Sequence, residues 1–535
     1  MSRIIVVGAG VGGLAAAIRL AKAGHDVEVH ERSGVAGGKL GGYERDGFRF
    51  DTGPSLLTLP EVFTDLEVSL PLVPLDPVVR HFFPDGTVLD SSSSHVAFTD
   101  RIAQSLGPAS ADEWEHFWRR AARIWHASSR SVLRHPVTPA TLAGLSWRLT
   151  DLAAIAPGRT LRHLGYRYFH DPRLRTLLDR YATYTGTDPR RAPAALAAIP
   201  YAELTFGGWY LPGGLTTLGS AMVARCESLG VRLVFHSEVT SIVASGGRAT
   251  GVRLRTASLP AASGPASPAA SGTGSSAASG VGSSAASGVG SSATDFRPTD
   301  FRPTDFRPAD FRPADFRPAD VVVSDVDAIT LYRDLLPTPS RLASLTERSL
   351  AGFVLLLGVR GETPGLAHHN VFFPPYYDAE FDAVFGGPTR RARLADHPTI
   401  FVTRPNDPAV RPPGCESWFV LVNAPRHGTA WSAIDWRRPG LADAYAQHIL
   451  NLLAHQGVDI RDRLLFTETR TPADLADTTA TPGGAIYGTT GSLLRPPNQG
   501  PLPNLHLVGG SVHPGGGLPM VTLSAEIAAT QIGPA

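Results

Sequence analysis

Cysteine and lysine are almost missing from this chain of 535 residues. Cys226 and Cys415 are the only thiols and lack metal-type spacing, so the sequence encodes neither a disulfide framework nor a cysteine-ligated metal centre. No metal is expected, and a reducing, cytoplasmic setting fits this usage. Lys22 and Lys39 are the only lysines, which makes nearly every cation an arginine. Charged residues reach only 18% and the net charge is +1, so the basic stripe of a nucleic-acid binder is absent. Long apolar runs are lacking as well. None approaches the ~20 residues that span a bilayer, and Ser2-Arg3 leads through a short apolar strand into glycines, unlike a signal peptide. Contact with a membrane would then be peripheral, on its inner face.

What is present suits a large enzyme. A hydrophobic share of 43% supplies a sizeable core, and the length exceeds what one compact core usually holds, which predicts a two-lobed unit. Ile4 to Val7 reads as a buried strand, Gly12 to Ala23 as a small-residue helix, and Asp26 to His30 as a second strand ending at Glu31. This β-α-β opening predicts a doubly wound α/β domain. From Trp114 to about Tyr184 the periodicity is helical, with Leu142, Leu145, Leu149 and Leu152 spaced by three or four. Strand patterns return at Val231 to Val243, with Ala249 to Leu254 as hairpin partner, and again from Asp320 to Asp325.

Between them, about 258–319, Ser/Ala/Gly repeats give way to five Asp-Phe-Arg-Pro units, from Asp295-Phe296-Arg297-Pro298 to Asp315-Phe316-Arg317-Pro318. Proline at every fifth residue excludes a continuous helix or a central strand. The Gly/Ser tract has too little apolar surface to offset the entropy of ordering. The stretch reads as a disordered loop insertion, with peptide docking by the Phe-Arg pairs as the sharper alternative.

Three glycine motifs carry the chemistry. Gly8, Gly10 and Gly13 occupy G-x-G-x-x-G positions, with Gly12 between them, immediately after the first strand. Such glycines allow a tight turn, close approach to a diphosphate and close helix–strand packing, while the helix N-terminus offers unpaired N–H groups. Glu31 lies at the distance expected of an acid that accepts a ribose hydroxyl. A second turn, Gly34-Val-Ala-Gly37-Gly38-Lys39, places a cation where it can meet the same diphosphate from the far side. Near the other end, a strand from Leu505 runs into Gly509 and Gly510, then His513-Pro514-Gly515, Pro519 and Met520, with a helix expected from Val521 to Thr530.

Taken together, these segments resemble the phytoene desaturase-like (CrtI-type) carotenoid desaturases of the FAD-dependent, amine-oxidase-like superfamily. The resemblance also draws on Phe50-Asp51-Thr-Gly-Pro54, Trp209 to Leu215, Glu238 to Ile242, Ser324 to Asp327, Leu366 to His369 and Pro413 to Ser417. It covers nearly the whole chain except the repeat insertion. It implies FAD held by Gly8, Gly10, Gly12, Gly13, Glu31, Arg32, Gly38 and Lys39 on the adenine and diphosphate side. The Val239 backbone would meet the adenine, and Pro54, Ser55, Gly509, Gly510, Pro519 and Met520 would lie near the flavin ring. Lys39 stands where many relatives carry arginine, which keeps the charge but loses bidentate geometry.

The implied architecture has an FAD-binding Rossmann-like part at 1–100, a mainly helical substrate or membrane-facing lobe at 101–205, and a return to the FAD domain at 206–257 and 320–340. A substrate-domain sheet at 341–480 and a C-terminal FAD segment at 481–535 complete it. The implied reaction is desaturation of a lipophilic polyene, phytoene or a later carotenoid intermediate, by hydride transfer to the flavin with proton loss from the neighbouring carbon. One Rossmann fingerprint leaves no second site for a nicotinamide, so oxygen or a quinone is the expected electron acceptor. His513 is the candidate proton acceptor, with a loop histidine bonded to backbone as its other reading; His368 and His369 are remoter candidates. A carotene isomerase using reduced FAD and a flavin amine oxidase with Trp209 and Tyr210 as an aromatic cage are the alternatives.

Overall fold

The structure is a computed structural model that describes residues 1–138, 149–256, 315–337, 345, 348–490 and 495–535. Leu142, Leu145 and most of the repeat tract lie outside the described residues. The chain opens with β1 (Arg3–Val7), α1 (Val11–Lys22) and β2 (Asp26–His30), then a hairpin of β3 (Gly42–Arg45) and β4 (Phe48–Asp51). Strands β5 (Arg80–Phe82) and β6 (Val88–Asp90) precede a helical run: α2 (His95–Leu106), α3 (Pro108–Ser128), α4 (Leu149–Ile155), α5 (Leu161–Tyr168), α6 (Pro172–Arg180) and α7 (Ala198–Phe206). Next come α8 (Thr216–Ser228), β7 (Arg232–Val234), β8 (Ser237–Ser245), β9 (Arg248–Thr256), β10 (Asp315–Pro318) and β11 (Val321–Ser324). The last third holds β12 (Ala351–Arg360), β13 (His369–Phe372), β14 (Ile400–Thr403), β15 (Cys415–Ala424), α9 (Leu441–His455), β16 (Leu464–Arg470), β17 (Leu505–Leu507) and α10 (Leu518–Ile532).

Three sheets organise the molecule. A parallel sheet in the order β17-β11-β1-β2-β7 carries the dinucleotide fold, with strands contributed from both ends of the chain. Buried on both faces, its strands read as apolar runs such as Ile4 to Val7. The small residues Ala15, Ala16 and Ala17 let α1 lie buried from Val11 to Leu20 and packed on α10. A sheet in the order β16-β12-β15-β14-β13-β5-β6 forms the second lobe. Along β12 the period of two is plain: Phe353, Leu355 and Leu357 pack with Tyr445, Ile449 and Leu453 of α9, while Val354 and Leu356 meet Phe48 and Phe50 of β4. In the helical lobe, Trp114, Phe117, Ala121 and Ile124 form one buried stripe of α3 at helical spacing.

Two sequence expectations need correction. The run from Val231 to Val243 is two strands in two sheets, not one. β7 joins β2 in the parallel sheet, the chain turns at His236 in the left-handed region (φ 53°), and β8 then pairs with β9. The final Asp-Phe-Arg-Pro unit is also ordered, although its composition places it in the insertion. It forms β10, the outer strand of the β8-β9-β10 sheet, with Gly251 opposite Pro318 and Leu254 opposite Asp315. An edge position tolerates its proline, because one face of the strand needs no ladder donor. The C-terminal helix starts at Leu518, so Pro519 and Met520 stand in its first turn, where a missing N–H matters least.

Candidate active site

The glycine turns of the sequence come together where β1, β11 and β17 end. Gly8 donates to the His30 carbonyl at 2.8 Å, and a Cβ on Gly13 would stand 2.1 Å from the Gly8 carbonyl oxygen. The second turn docks on the first, with the Gly37 N–H donating to the Ala9 carbonyl at 2.8 Å. Gly38 (φ 61°) faces Gly10 so closely that a Cβ would meet its Cα at 3.2 Å. Gly509, from the far end of the chain, closes the same cradle beside Gly12. Glu31 is oriented by two main-chain donors: Ala9 N reaches Oε2 at 2.8 Å and Ser33 N reaches Oε1 at 2.9 Å.

One residue to which the sequence assigned no role sits at the centre. Asp325 follows β11, and its carboxyl oxygens lie 2.3 Å, 2.7 Å and 2.2 Å from where a Cβ would stand on Gly10, Gly12 and Gly509. Any side chain at those three positions would collide with it. Burial pushes the Asp325 carboxyl up to about 7, with Glu31 adding to the rise and the Gly13 N–H and Lys39 opposing it. Near it and Asp327 stand three cations, Arg348 buried and Lys39 and Arg495 half-buried. Lys39 donates to the carbonyls of Ala485 (3.1 Å) and Ile486 (2.7 Å), and burial lowers its ammonium to about 8 against the pull of Asp327. Arg348 forms a bidentate pair with Asp327, both bonds 3.0 Å. Arg495 donates to the carbonyls of Tyr487 and Gly510, and burial lowers it to about 10.

The other candidates are placed as follows. Val239 lies buried on β8, whose first residue, Ser237, donates to the Glu31 carbonyl. The Arg32 guanidinium donates to the Asp477 carbonyl. Pro54 precedes Ser55, whose carbonyl accepts from His369 Nε2 at 3.2 Å and whose hydroxyl accepts from Thr403 at 3.0 Å, so this segment is tied to the second sheet. Asp51 joins two motifs of the resemblance by accepting the N–H groups of Leu215 and Thr216. Gly510 approaches Gly516 at a distance that leaves a Cβ 3.4 Å from its Cα. His513 is 1% exposed, and its Nε2 donates to the carbonyls of Val132 and His135, each at 3.0 Å. That is the loop-histidine role, and it leaves only Nδ1, buried and without a partner among the described residues, to accept a proton. Burial holds the imidazole below its usual value. Trp209 donates to the Phe206 carbonyl and Tyr210 to Asp407.

A second polar centre lies between the helical lobe and the second sheet. Arg180, 5% exposed at the end of α6, donates to the Tyr184 hydroxyl at 2.9 Å and comes within 3.5 Å of His81 Nε2 on β5. Glu203 accepts from the hydroxyls of Tyr181 (2.9 Å) and Tyr184 (2.6 Å). Nearby, Tyr377 Oη and His369 Nδ1 are buried with no partner among the described residues. The positive field of Arg180 extends to both, as well as to Tyr487 on the dinucleotide side.

Comparison with known proteins decides the family. Residues 11–269 match the family described as flavin containing amine oxidoreductase. The 4,4'-diapolycopene oxygenase of a Methylomonas species is 30% identical, covering 99% of this chain and 98% of that protein. The chain belongs to the carotenoid desaturase family of FAD-dependent oxidoreductases. Hydroxyneurosporene desaturase of Cereibacter sphaeroides is also 30% identical, over 99% of this chain and 97% of its own length. The same fold appears in an oxidoreductase of Methanosarcina mazei, with a TM-score of 0.57 at 16% identity over 98% of each chain.

FAD is the cofactor of this family, and the residues present fit it. The cradle of Gly8 to Gly13, Gly38 and Gly509 offers backbone N–H groups and the α1 N-terminus to a diphosphate, and Glu31 keeps lone pairs for a ribose. The cations Lys39, Arg348 and Arg495 stand against the carboxyls of Glu31, Asp325 and Asp327, and because burial disfavours the charge of Asp325 the balance is positive, which suits a diphosphate. Arg348, Arg495, Arg180 and Glu203 escaped the sequence reading. In a chain whose cations are nearly all arginine, nothing local marks the few that turn inward.

Proposed function

We propose that this chain dehydrogenates a late, acyclic carotenoid that already carries an oxygen function near one end. Bound FAD supplies the two-electron acceptor for the reaction. Removal of two hydrogens from adjacent carbons forms the new double bond, and the protein supplies alignment and exclusion of water. Relatives named as desaturases of hydroxylated carotenoids support the substrate class. The observation that carries the oxygenated end is the Arg180 centre. A pure hydrocarbon has no use for a buried guanidinium flanked by Tyr184, Glu203 and unpartnered polar atoms, and such groups are costly to bury. Reoxidation by oxygen or a quinone completes the cycle in this reading.

The test supplies purified enzyme with phytoene, a late hydrocarbon intermediate and its hydroxylated counterpart, and follows product mass. Loss of two hydrogens from the hydroxylated compound, faster than from the other two, is the expected result. Turnover of phytoene alone would sink the reading. Arg180→Leu should reduce the preference for the oxygenated substrate roughly 10- to 100-fold, the worth of one charged hydrogen bond. A second reading, oxygen insertion at a terminal methyl, is favoured by the similarity to the diapolycopene oxygenase and would appear as a product heavier by one oxygen.

A further inference from the structure

On the outer side of the helical lobe lies a cavity of about 590 Å³ between α3, α4 and α5. Four arginines line it: Arg120 and Arg123 from α3, Arg159 from the turn after α4, and Arg167 from α5. Tyr168 and an apolar floor that includes Leu164 complete the wall. Among the described residues no carboxylate lines it and none of the four arginines is ion-paired. Elsewhere the described arginines are commonly matched, as Arg162 is with Asp179 and Asp378 and Arg173 with Asp171 and Asp85. Arg120 is held in place by the carbonyls of Ala153 (3.1 Å) and Ala154 (2.6 Å), so one guanidinium at least is fixed before anything binds. Arg123, Arg159 and Arg167 all disfavour its charge, which means the four fields overlap in one space.

Like charges gathered without a counter-charge destabilise each other unless an anion occupies the space between them. Planar guanidinium forks bind carboxylate and phosphate alike, and a phosphate has more acceptor oxygens to share among several of them. We propose that this cavity binds the phosphate of an anionic phospholipid headgroup and docks the helical lobe on a membrane surface. A lipid source is favoured over a free phosphate by the floor of Leu164, Leu152 and Ala153, which is apolar beside the cations. Among the described residues no helix is long and apolar enough to cross a bilayer, so attachment of this kind is peripheral. The choice of a lipid source rests in part on the reading of the substrate as a lipophilic polyene; the phosphate chemistry does not.

The experiment is sedimentation of the FAD-loaded full chain with vesicles that contain no polyene. One set is phosphatidylcholine alone; the other mixes in phosphatidylglycerol. Binding to the mixed vesicles only, weakening as salt is raised, is expected. The double variant R123Q/R167Q alters two exposed side chains and should keep its flavin absorbance. It should bind the mixed vesicles about 30-fold more weakly, at about fivefold per lost charge. Arg437→Gln, an exposed arginine of the other lobe, should bind as wild type does. Equal binding of wild type to both vesicle sets would overturn the proposal, as would undiminished binding by the double variant. Saturation of the wild type by inorganic phosphate without vesicle binding would also overturn it, assigning the site to a free anion. Because no substrate is present, failure of the desaturation assay would leave this outcome untouched.

Discussion

At the scale of single residues, Asp325 is the titratable group set deepest among the glycines. Its carboxyl occupies the heart of the glycine cradle and is pushed up to about 7 by burial. A neutral carboxyl can share that space with a diphosphate, whereas an ionised one is repelled by it. FAD affinity should therefore fall as pH rises through 7, by roughly tenfold between about pH 6 and about pH 8. Asp325→Asn should flatten the profile, and titration of the apo chain by flavin fluorescence checks both. The same shift acts on stability. Because the folded value is raised, the contribution is fully present below the unfolded carboxyl's range and is lost as pH rises through about 7. Asp327 behaves differently, since it is paired with the equally buried Arg348. Asp327→Asn would leave that guanidinium without its counter-charge and should cost roughly 3–5 kcal/mol in urea unfolding. A change below about 1 kcal/mol would show that the pair is not a structural keystone.

At the scale of elements, His513 ties the C-terminal glycine segment to the helical lobe through the carbonyls of Val132 and His135. His513→Gln preserves an N–H donor but removes the imidazole. The structure leads to the expectation that this variant keeps FAD and turns over within about tenfold of wild type. A loss of roughly 10²–10⁴ in rate with FAD retained would instead assign proton acceptance to Nδ1. β10 makes a comparable point about the repeats. Among the described residues, the last unit, Asp315 to Pro318, pairs with β9. Excising 261–310 should change stability by no more than about 2 kcal/mol, since loop closure depends only weakly on length. Extending the deletion through Pro318 would bare the β9 edge and should promote aggregation, which light scattering would detect. The repeat sequence itself could not mark the last unit as a strand, because its residues are the same as those of the units before it.

At the scale of the whole molecule, both polar centres are assembled from residues far apart in sequence. Gly12 lies beside Gly509, Lys39 beside Ile486, and His81 beside Arg180. Local chemistry explains what the sequence determined by itself. A strand, a glycine turn and a helix in succession build a local frame that can cradle a diphosphate, because backbone conformation and helix-end donors are short-range properties. The parallel β-α-β opening, the acid Glu31 and the glycine segment after Leu505 were legible for that reason, as was the family resemblance they carry. The tertiary structure alone decided which polar groups turn inward. Asp325 among the glycines, the Arg348–Asp327 pair, the Arg180 centre and the four-arginine cavity arise from long-range packing, and no periodicity announces them. The division of Val231–Val243 between two sheets has the same origin. A β pattern fixes which face of a strand is apolar, but only the neighbouring strands determine the sheet to which it belongs.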